Sequence, residues 1–216
     1  MNNRAKCFSP MIPSLKKYIE SLNLSTIPAE RQAVLQPLAD YIKAKTDAQQ
    51  PINLTFICTH NSRRSHLGQV WAQVAAAYFG VQGIHCFSGG TETTACNPRT
   101  IAAFERAGLK VTKTTESDNP VYEISFDDLS QPIIAFSKVY DQAPNPSSAF
   151  AAIMTCDHAE ANCPYIPGAE KRLPIMYIDP KVSDDTPEET ATYDARCRQI
   201  ATEMKWVFDK VDQVRR

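Results

Sequence analysis

CTHNSRRS, at residues 58–65, is the segment from which the architecture of this chain is most readily worked out. Residues 52–57 before it alternate apolar and polar side chains and end apolar, which is typical of a strand entering a core. Residues 67–79 after it carry apolar side chains at the three- and four-residue spacing of a helix. The octapeptide is therefore predicted to be a strand-to-helix loop, whose backbone N–H groups and helix N-terminus attract a tetrahedral oxyanion.

This loop contains a cysteine, five further residues, then an arginine and a hydroxyl residue. Arg64 is expected to hold the oxyanion together with the loop N–H groups, and Cys58, in the same positive field, is expected to favour thiolate over thiol. The alternative is that Cys58 is a buried structural cysteine. The other residues of the expected oxyanion-binding loop are Thr59, His60, Asn61, Ser62 and Arg63. The pattern resembles the C-x5-R-[S/T] phosphate loop of the low-molecular-weight protein tyrosine phosphatases and of the arsenate reductases that share their fold.

The composition fits one globular domain with an extension. With 216 residues, 43% of them hydrophobic and 22% charged, the chain can bury a core, and residues 1–50 are predicted to be a helical extension of a domain at 51–216. The extension is expected to pack on this domain or on a second subunit, so self-association through it is open. A net charge of -1 gives no case for nucleic acid or membrane binding. The odd number of cysteines, seven, and the lack of a signal-peptide pattern favour the reducing cytoplasm.

Strand-like and helix-like segments alternate after residue 51. This order predicts an α/β fold with a mainly parallel central sheet flanked by helices, as in the low-molecular-weight phosphatases. Two strand-like runs, at 121–126 and 133–140, predict an antiparallel β-hairpin inserted in, or extending, that sheet. Ligands of such sheets bind at the carboxyl ends of the strands, where Cys58 and Cys156 are both expected.

A second cysteine pattern lies further along the chain. Six residues separate Cys156 from Cys163, and Asp179 lies sixteen positions after Cys163. Together with residues 58–65, this pattern resembles the thioredoxin-coupled arsenate reductases on the phosphatase fold. The resemblance implies that arsenate is reduced to arsenite by a relay of three cysteines. Cys58 attacks arsenic, Cys156 forms a disulfide with it and releases arsenite, and Cys163 passes the disulfide on to thioredoxin.

The resemblance also implies roles for the other site residues. Arg64 clamps the oxyanion, and Asp179 is the general acid. Ser65 donates a hydrogen bond to the Cys58 thiolate. Thioredoxin is the electron donor, and no tightly bound cofactor or metal is implied. A rigid helix holds residues seven positions apart about 10 Å from each other, beyond disulfide reach, so the 156–163 segment is expected to rearrange during turnover.

Three positions depart from the family's pattern. The family usually has Gly where His60 stands, often Cys where Arg63 stands, and usually Glu where Gln69 stands. His60 is therefore expected to need a backbone conformation that glycine adopts more readily, and Arg63 adds a positive charge at the rim of the loop. In some members the Glu helps to bind potassium, so Gln69 weakens the case for a potassium site. Asn61 is expected to brace the loop, as in the family.

Other functions stay open from the sequence. A phosphomonoesterase that forms a phosphocysteine would leave Cys156 and Cys163 as bystanders, although Lys181-Val182 replaces the aromatic pair that follows the Asp-Pro of many tyrosine phosphatases. A non-enzymatic oxyanion- or redox-sensing module is the third possibility. The two cysteines could also be ordinary buried thiols, or form a zinc or arsenite site with His158.

Overall fold

The computed structural model of the protein describes residues 10–162 and 165–213. In chain order, its strands are β1 (Ile52–Cys58), β2 (Ile84–Gly90), β3 (Lys110–Lys113), β4 (Tyr122–Ser125), β5 (Ile133–Ala135), β6 (Phe150–Met154) and β7 (Ala169–Pro174). Its helices are α1 (Pro13–Glu20), α2 (Ala29–Asp47), α3 (Arg64–Tyr78), α4 (Pro98–Arg106), α5 (Asp157–Asn162) and α6 (Glu189–Gln213). Short 3-10 turns occupy Leu24–Thr26 and Pro180–Ser183.

A four-stranded parallel sheet, in the order β2–β1–β6–β7, forms the centre of the fold. All five residues of β6 and six of the seven in β1 are buried, as expected of strands that are covered on both faces. Helices α3 and α6 pack against each other, and α3 also contacts β1 and β2. The predicted α/β fold with a mainly parallel sheet flanked by helices is confirmed.

The two faces of the sheet are covered unequally. Because side chains alternate along a strand, Phe56 and Ile153 point into the large core that the long helices cover. Ile57 and Met154 belong instead to a small cluster on the other face, which also contains Cys58 and Cys156. The two cysteines therefore share a small, buried apolar cluster at the carboxyl edge of the sheet.

The predicted hairpin is present in a separate antiparallel sheet, and an isolated parallel bridge between Val139 and Gly90 connects its second run to the end of β2. Strands β4 and β5 pair antiparallel, and β3 pairs with the other edge of β4, so that a separate three-stranded sheet results. The second strand-like run was predicted to extend over 133–140, whereas β5 ends at Ala135. Beyond it, the Ser137 hydroxyl and the Lys138 backbone N–H donate to the loop after β1. The Lys138 carbonyl oxygen and the Tyr140 N–H pair with Gly90 of β2 instead of continuing the antiparallel pairing with β4.

Helices α1 and α2 pack on the rest of the chain. Their buried side chains lie in the same core as Trp71 of α3, and the Tyr18 ring stacks on Trp71 with ring centroids 5.4 Å apart. The Lys205 ammonium on α6 donates to the carbonyl oxygens of Ile19 and Leu22. The domain boundary near residue 50 and self-association stay predictions. No helix in the described ranges is long and apolar enough to cross a lipid bilayer.

Candidate active site

The segment between β1 and α3 forms a tight loop at the carboxyl edge of the parallel sheet. Within it Asn61 has a φ of 44°, in the left-handed region that asparagine tolerates better than most residues. A Cβ added to Gly90, at the end of β2, would lie 2.6 Å from the carbonyl oxygen of Thr59 and 2.8 Å from the backbone nitrogen of Asn61. The missing side chain of Gly90 therefore allows β2 to approach the loop.

Cys58 and Ser65 face each other across this loop. The Ser65 Oγ lies 3.1 Å from the Cys58 Sγ, and both residues are buried. The Asn61 Nδ2 donates to the same Ser65 oxygen at 2.9 Å, and the Asn61 Oδ1 accepts from the backbone nitrogen of Lys138 at 3.0 Å. Because a serine hydroxyl has a single proton and its oxygen already accepts from Asn61, that proton is available for the Cys58 sulfur. The geometry suits a sulfur that carries negative charge.

Arg64 lies at the first position of α3 and contacts the segment after β7. Its Nη2 forms an ion pair with the Asp179 Oδ2 at 2.8 Å, and its Nη1 donates to the carbonyl oxygen of Tyr177 at 3.1 Å. The Arg64 Nε is buried and has no hydrogen-bond partner among the described residues. A buried N–H group without a protein acceptor is unusual, and here it belongs to the arginine expected to bind an oxyanion.

Cys156 follows β6 by two residues and is 1% exposed. The Thr59 hydroxyl lies 3.4 Å from the Cys156 Sγ and 3.5 Å from the His158 Nδ1, so a loop residue adjacent to Cys58 connects the two cysteine positions. The backbone N–H of Ala159 also points to the Cys156 sulfur, at 3.4 Å. Cys163 lies outside the described residues.

The suggested zinc site depends on that same cysteine. Among residues 10–162 and 165–213, no group of three or more His, Cys, Asp or Glu side chains could hold a metal ion. Because Cys163 is not among these residues, the set of Cys156, His158 and Cys163 lies partly outside them and stays a prediction.

The expectation of a strained backbone at His60 was wrong. The positive φ belongs to the next residue, Asn61, because the chain turns where an amide side chain can bond to the surrounding structure. The His60 side chain is 45% exposed, and its Nε2 lies 3.6 Å from a carboxylate oxygen of Glu92. Ser62 fastens the other end of the loop, since its hydroxyl donates to the carbonyl oxygen of Ala95 at 2.7 Å.

Arg63 is turned towards helix α6 and is 12% exposed. Its Nε donates to the Tyr193 hydroxyl at 2.6 Å, and its Nη2 donates to the Asp184 Oδ2 at 2.9 Å. Burial, followed by the hydrogen bond to Asp184, raises the pKa of Tyr193 to about 12, so its hydroxyl stays protonated and donates to that carboxylate. The Arg63 charge is thus balanced by Asp184 and is not a free charge at the rim.

Two buried residues of α3 lie behind the loop. The His66 Nδ1 is 3.1 Å from the Ser88 hydroxyl, and burial, followed by the nearby Lys138 charge, lowers the pKa of His66 to about 3. The Gln69 Nε2 donates to the carbonyl oxygen of Cys86 in β2 at 3.1 Å. Both side chains therefore connect the helix to the edge strand of the sheet.

Sequence reasoning missed two contributors to the site, Tyr177 and Lys138. Tyr177 acts through its carbonyl oxygen on Arg64, and Lys138 through its backbone N–H on Asn61. Because both contacts use the main chain, the residue types carry no signal. The only available hint for Tyr177 was its position two residues before Asp179.

Comparison with known proteins identifies relatives named arsenate reductase. The protein from Halalkalibacterium halodurans is 25% identical over 134 residues, which cover 62% of this chain and 78% of the relative. The protein from Staphylococcus aureus (strain Newman) is 29% identical over 126 residues, covering 58% and 76%. That from Bacillus licheniformis is 27% identical over 143 residues, covering 66% and 84%. These relatives confirm the resemblance to arsenate reductases that the motifs indicate. No protein-family model matches the chain.

Solved structures similar to this one include a low molecular weight phosphotyrosine phosphatase from Vibrio cholerae O395, with a TM-score of 0.49, 13% identity and coverage of 76% of this chain and 98% of that chain. A thioredoxin-dependent arsenate reductase from Corynebacterium glutamicum has a TM-score of 0.36, 16% identity and coverage of 89% and 83%.

Proposed function

We propose that this chain, a relative of curated arsenate reductases, reduces arsenate to arsenite with the thiols of Cys58, Cys156 and Cys163. The observation that carries the proposal is the position of Cys58 and Cys156. Cys58 ends β1 and Cys156 follows the neighbouring parallel strand β6, and both belong to one apolar cluster. The hydroxyl of Thr59, the residue after Cys58, lies 3.4 Å from the Cys156 sulfur. A relay needs two thiols at one site, and a phosphatase of the same type uses one.

The first step is attack on the oxyanion. Arsenate binds at the loop through Arg64, and the Cys58 sulfur attacks the As(V) centre, so that an S–As bond forms and an As–O bond breaks. Asp179 is the acid that protonates the departing oxygen, which leaves as water. The ion pair between Asp179 and Arg64 at 2.8 Å supports this assignment, because it brings the carboxyl group to the arginine that binds the oxyanion.

The second step transfers two electrons. The Cys156 thiolate attacks the Cys58 sulfur, an S–S bond forms and the S–As bond breaks with its electron pair left on arsenic. As(V) becomes As(III), which departs as arsenite. The Ala159 backbone N–H donates to the Cys156 sulfur, and the Thr59 hydroxyl lies within hydrogen-bond distance of it, so both groups contact the sulfur that attacks in this step.

The third step restores the nucleophile. Cys163 attacks Cys156, the Cys58 thiol is released, and a Cys156–Cys163 disulfide forms. A dithiol protein of the thioredoxin class then reduces this disulfide. Cys156 immediately precedes α5 (Asp157–Asn162), and this helix must unwind for the Cys156 and Cys163 sulfurs to meet.

A phosphomonoesterase is the second candidate. The arrangement of Cys58, Ser65, Arg64 and Asp179 supports it equally well, because a phosphocysteine needs the same nucleophile, cation and acid. Val182, which is 76% exposed, stands where many tyrosine phosphatases have an aromatic residue. We therefore favour a small phosphate ester over phosphotyrosine within this candidate.

Arsenate-dependent NADPH oxidation with thioredoxin and thioredoxin reductase, run beside p-nitrophenyl phosphate hydrolysis, tests the proposal. We expect NADPH consumption that needs both arsenate and thioredoxin. Cys163→Ser should abolish repeated turnover, whereas Cys86→Ala, at a buried cysteine of β2, should retain it. Phosphate ester hydrolysis that persists in Cys163→Ser without arsenate reduction in the unmodified protein would support the phosphatase. No activity in either assay would favour the third possibility, a non-enzymatic oxyanion- or redox-sensing module.

A further inference from the structure

We propose that Arg31, in the N-terminal extension, is a positioning residue of the oxyanion site, acting through Tyr177 on Arg64 with Glu203 as its anchor. The inference rests on the proposed function, because it assigns Arg64 to the oxyanion. It gives residues of α2 a role that the sequence did not suggest. Arg31 itself does not contact the substrate.

Tyr177 connects the main parts of the site. Its backbone nitrogen donates to the carbonyl oxygen of Thr155, next to Cys156, at 3.1 Å. Its carbonyl oxygen accepts from the Arg64 Nη1 at 3.1 Å. Asp179, the other partner of Arg64, follows two residues later. Any shift of Tyr177 therefore moves both protein contacts that hold the Arg64 guanidinium.

The segment that carries Tyr177 has few internal supports. Strand β7 ends at Pro174, and the next turn begins at Pro180. Between them, Met176 is 39% exposed and Ile178 is 69% exposed, whereas the Tyr177 side chain is buried. The segment is supported by the backbone bonds from Ile175 to Met154 and from Tyr177 to Thr155, and by the buried side chains of Ile175 and Tyr177. Of these side chains, the Tyr177 ring belongs to the residue that contacts Arg64, so what holds this ring bears directly on Arg64.

Arg31 and Glu203 hold that ring. The Arg31 guanidinium carbon lies 4.7 Å from the centre of the Tyr177 ring, a cation–π contact. The Arg31 Nε and Nη2 donate to the two carboxylate oxygens of Glu203 at 3.0 and 2.7 Å. Glu203 is 2% exposed, and the Gln199 Nε2 also donates to it at 2.9 Å. A two-point bond to a buried carboxylate fixes the plane of the guanidinium, which lysine cannot reproduce.

The consequence is a dependence of oxyanion binding on α2. Small displacements of a group that holds substrate weaken binding and catalysis far more than they change the fold. Without the Arg31 guanidinium, Tyr177 keeps its backbone hydrogen bonds but loses the cation–π contact with its ring. Arg64 and Asp179 then sample positions in which the oxyanion is held less well.

Lys45 provides a matched control on the same helix. It forms an ion pair with Glu170 at 2.7 Å, and Tyr41 donates to Glu170 at 2.8 Å. Glu170 is near the start of β7, at the opposite end of the strand from the segment that contacts Arg64. Lys45→Met therefore removes an ion pair between α2 and β7 without disturbing the Tyr177 contact.

The test measures the affinity for inorganic phosphate, which thiols do not reduce, by calorimetry at least 15 °C below the melting temperature of each variant. We expect Arg31→Met to weaken phosphate binding about tenfold, with Lys45→Met unchanged and Arg31→Lys between the two. Glu203→Gln should also weaken phosphate binding. Its effect should not add to that of Arg31→Met, because each substitution disrupts the same Arg31–Glu203 pair. Glu203→Gln also serves if Arg31→Met does not fold.

Three results would overturn the inference, and they are distinguishable. Phosphate binding that is unchanged in Arg31→Met and in Glu203→Gln would show that the pair is only structural, and the proposed function would stand. No binding of phosphate to the unmodified chain would remove the oxyanion site itself, and with it both proposals. Equal losses of affinity in Arg31→Met and Lys45→Met would also overturn the inference, because any loosening of α2 would then suffice.

Discussion

The Ser65 hydroxyl lies 3.1 Å from the Cys58 sulfur, and it is the last member of a chain of hydrogen bonds that begins at the Lys138 backbone. Asn61 connects the two ends, because its amide oxygen accepts from Lys138 and its amide nitrogen donates to Ser65. The direction of each bond is set by the one before it. The hydroxyl proton is consequently oriented towards the sulfur before any substrate binds.

Ser65→Ala should make Cys58 less reactive as a nucleophile. Loss of the hydroxyl removes a hydrogen bond that favours the thiolate, so we expect alkylation of Cys58 by iodoacetamide at pH 7 to slow about three- to tenfold. Ser65→Thr keeps the hydroxyl and should alkylate at nearly the rate of the unmodified protein. Equal rates for Ser65→Ala and the unmodified protein would mean that the hydroxyl does not stabilise the thiolate.

Asp179→Asn should separate binding from chemistry. An amide cannot protonate the departing oxygen, so we expect the rate of arsenate turnover to fall about 10²-fold or more. Phosphate binding should stay equal or become tighter, because Arg64 loses its carboxylate partner at 2.8 Å. Asp185→Asn is the control, since Asp185 is exposed and has a φ of 63° that asparagine also adopts.

A different result for Asp179→Asn would contradict the assignment. If turnover were retained while phosphate binding weakened, Asp179 would serve to position Arg64 and another group would be the acid. Steady-state kinetics on arsenate, combined with calorimetry on phosphate, distinguish these outcomes because the two measurements report different steps.

Much of the fold could be predicted because its signals are local. The strand before Cys58 and the helix after it follow from the apolar periodicity on either side of the loop. Asn97 caps α4 with its side chain, and the sequence Asn97-Pro98 is typical of such a helix start. The proximity of Cys58 and Cys156 follows from the rule that parallel strands bring their carboxyl ends to one edge.

The rest depends on contacts between distant segments, which periodicity does not encode. The run at 133–140 has the composition of a strand, yet Lys138 uses its N–H to bond Asn61, and the strand stops at Ala135. The contact of Arg31 with Tyr177 brings together residues 146 positions apart in the sequence, and a lone arginine on a helix face is more often simply solvated. The left-handed conformation was expected at His60 and occurs at Asn61. Which loop residue adopts it depends on the hydrogen bonds that its side chain can form, and these involve distant residues such as Lys138.

His66→Gln should make the free energy of unfolding depend less on pH below pH 6.5. Burial, followed by the Lys138 charge, lowers the pKa of His66 to about 3, whereas an unfolded histidine titrates near 6.5. Between pH 6.5 and 3 the unfolded chain binds a proton that the folded chain does not, so this residue makes stability fall as the pH falls. The loss is about 1.4 kcal/mol per pH unit below 6.5.

Urea unfolding at pH 7, 6, 5 and 4.5 measures this dependence. The unmodified protein should lose more stability over the range than His66→Gln, by about 2–3 kcal/mol at pH 4.5. His85→Gln, at an exposed position of β2, should behave as the unmodified protein. Parallel profiles for His66→Gln and the unmodified protein would show that His66 does not resist protonation in the folded state.

Lys138→Met should stabilise the protein at neutral pH, because the side chain of Lys138 is a buried ammonium. Its Nζ lies 4.5 Å from the centre of the Phe136 ring and 3.5 Å from the Phe136 carbonyl oxygen, and no carboxylate in the described part of the chain lies within 4 Å of it. Burial lowers the pKa of Lys138 to about 8. Below pH 8 the folded protein therefore keeps a charge that is poorly solvated.

The sign of the pH dependence follows from this pKa. Between pH 8 and about 10.5 the unfolded lysine keeps a proton that the folded one has lost, so stability rises with pH across that window in the unmodified protein. Lys138→Met lacks this rise and should be more stable at pH 7 by on the order of 2–3 kcal/mol. Methionine fills similar space, and its backbone N–H still donates to Asn61, so the loop is preserved.

Lys110→Met, at an exposed position of β3, is the control and should leave the dependence of stability on pH unchanged. Destabilisation by Lys138→Met, with a flat profile for the unmodified protein between pH 7.5 and 9.5, would mean that a partner compensates the buried ammonium.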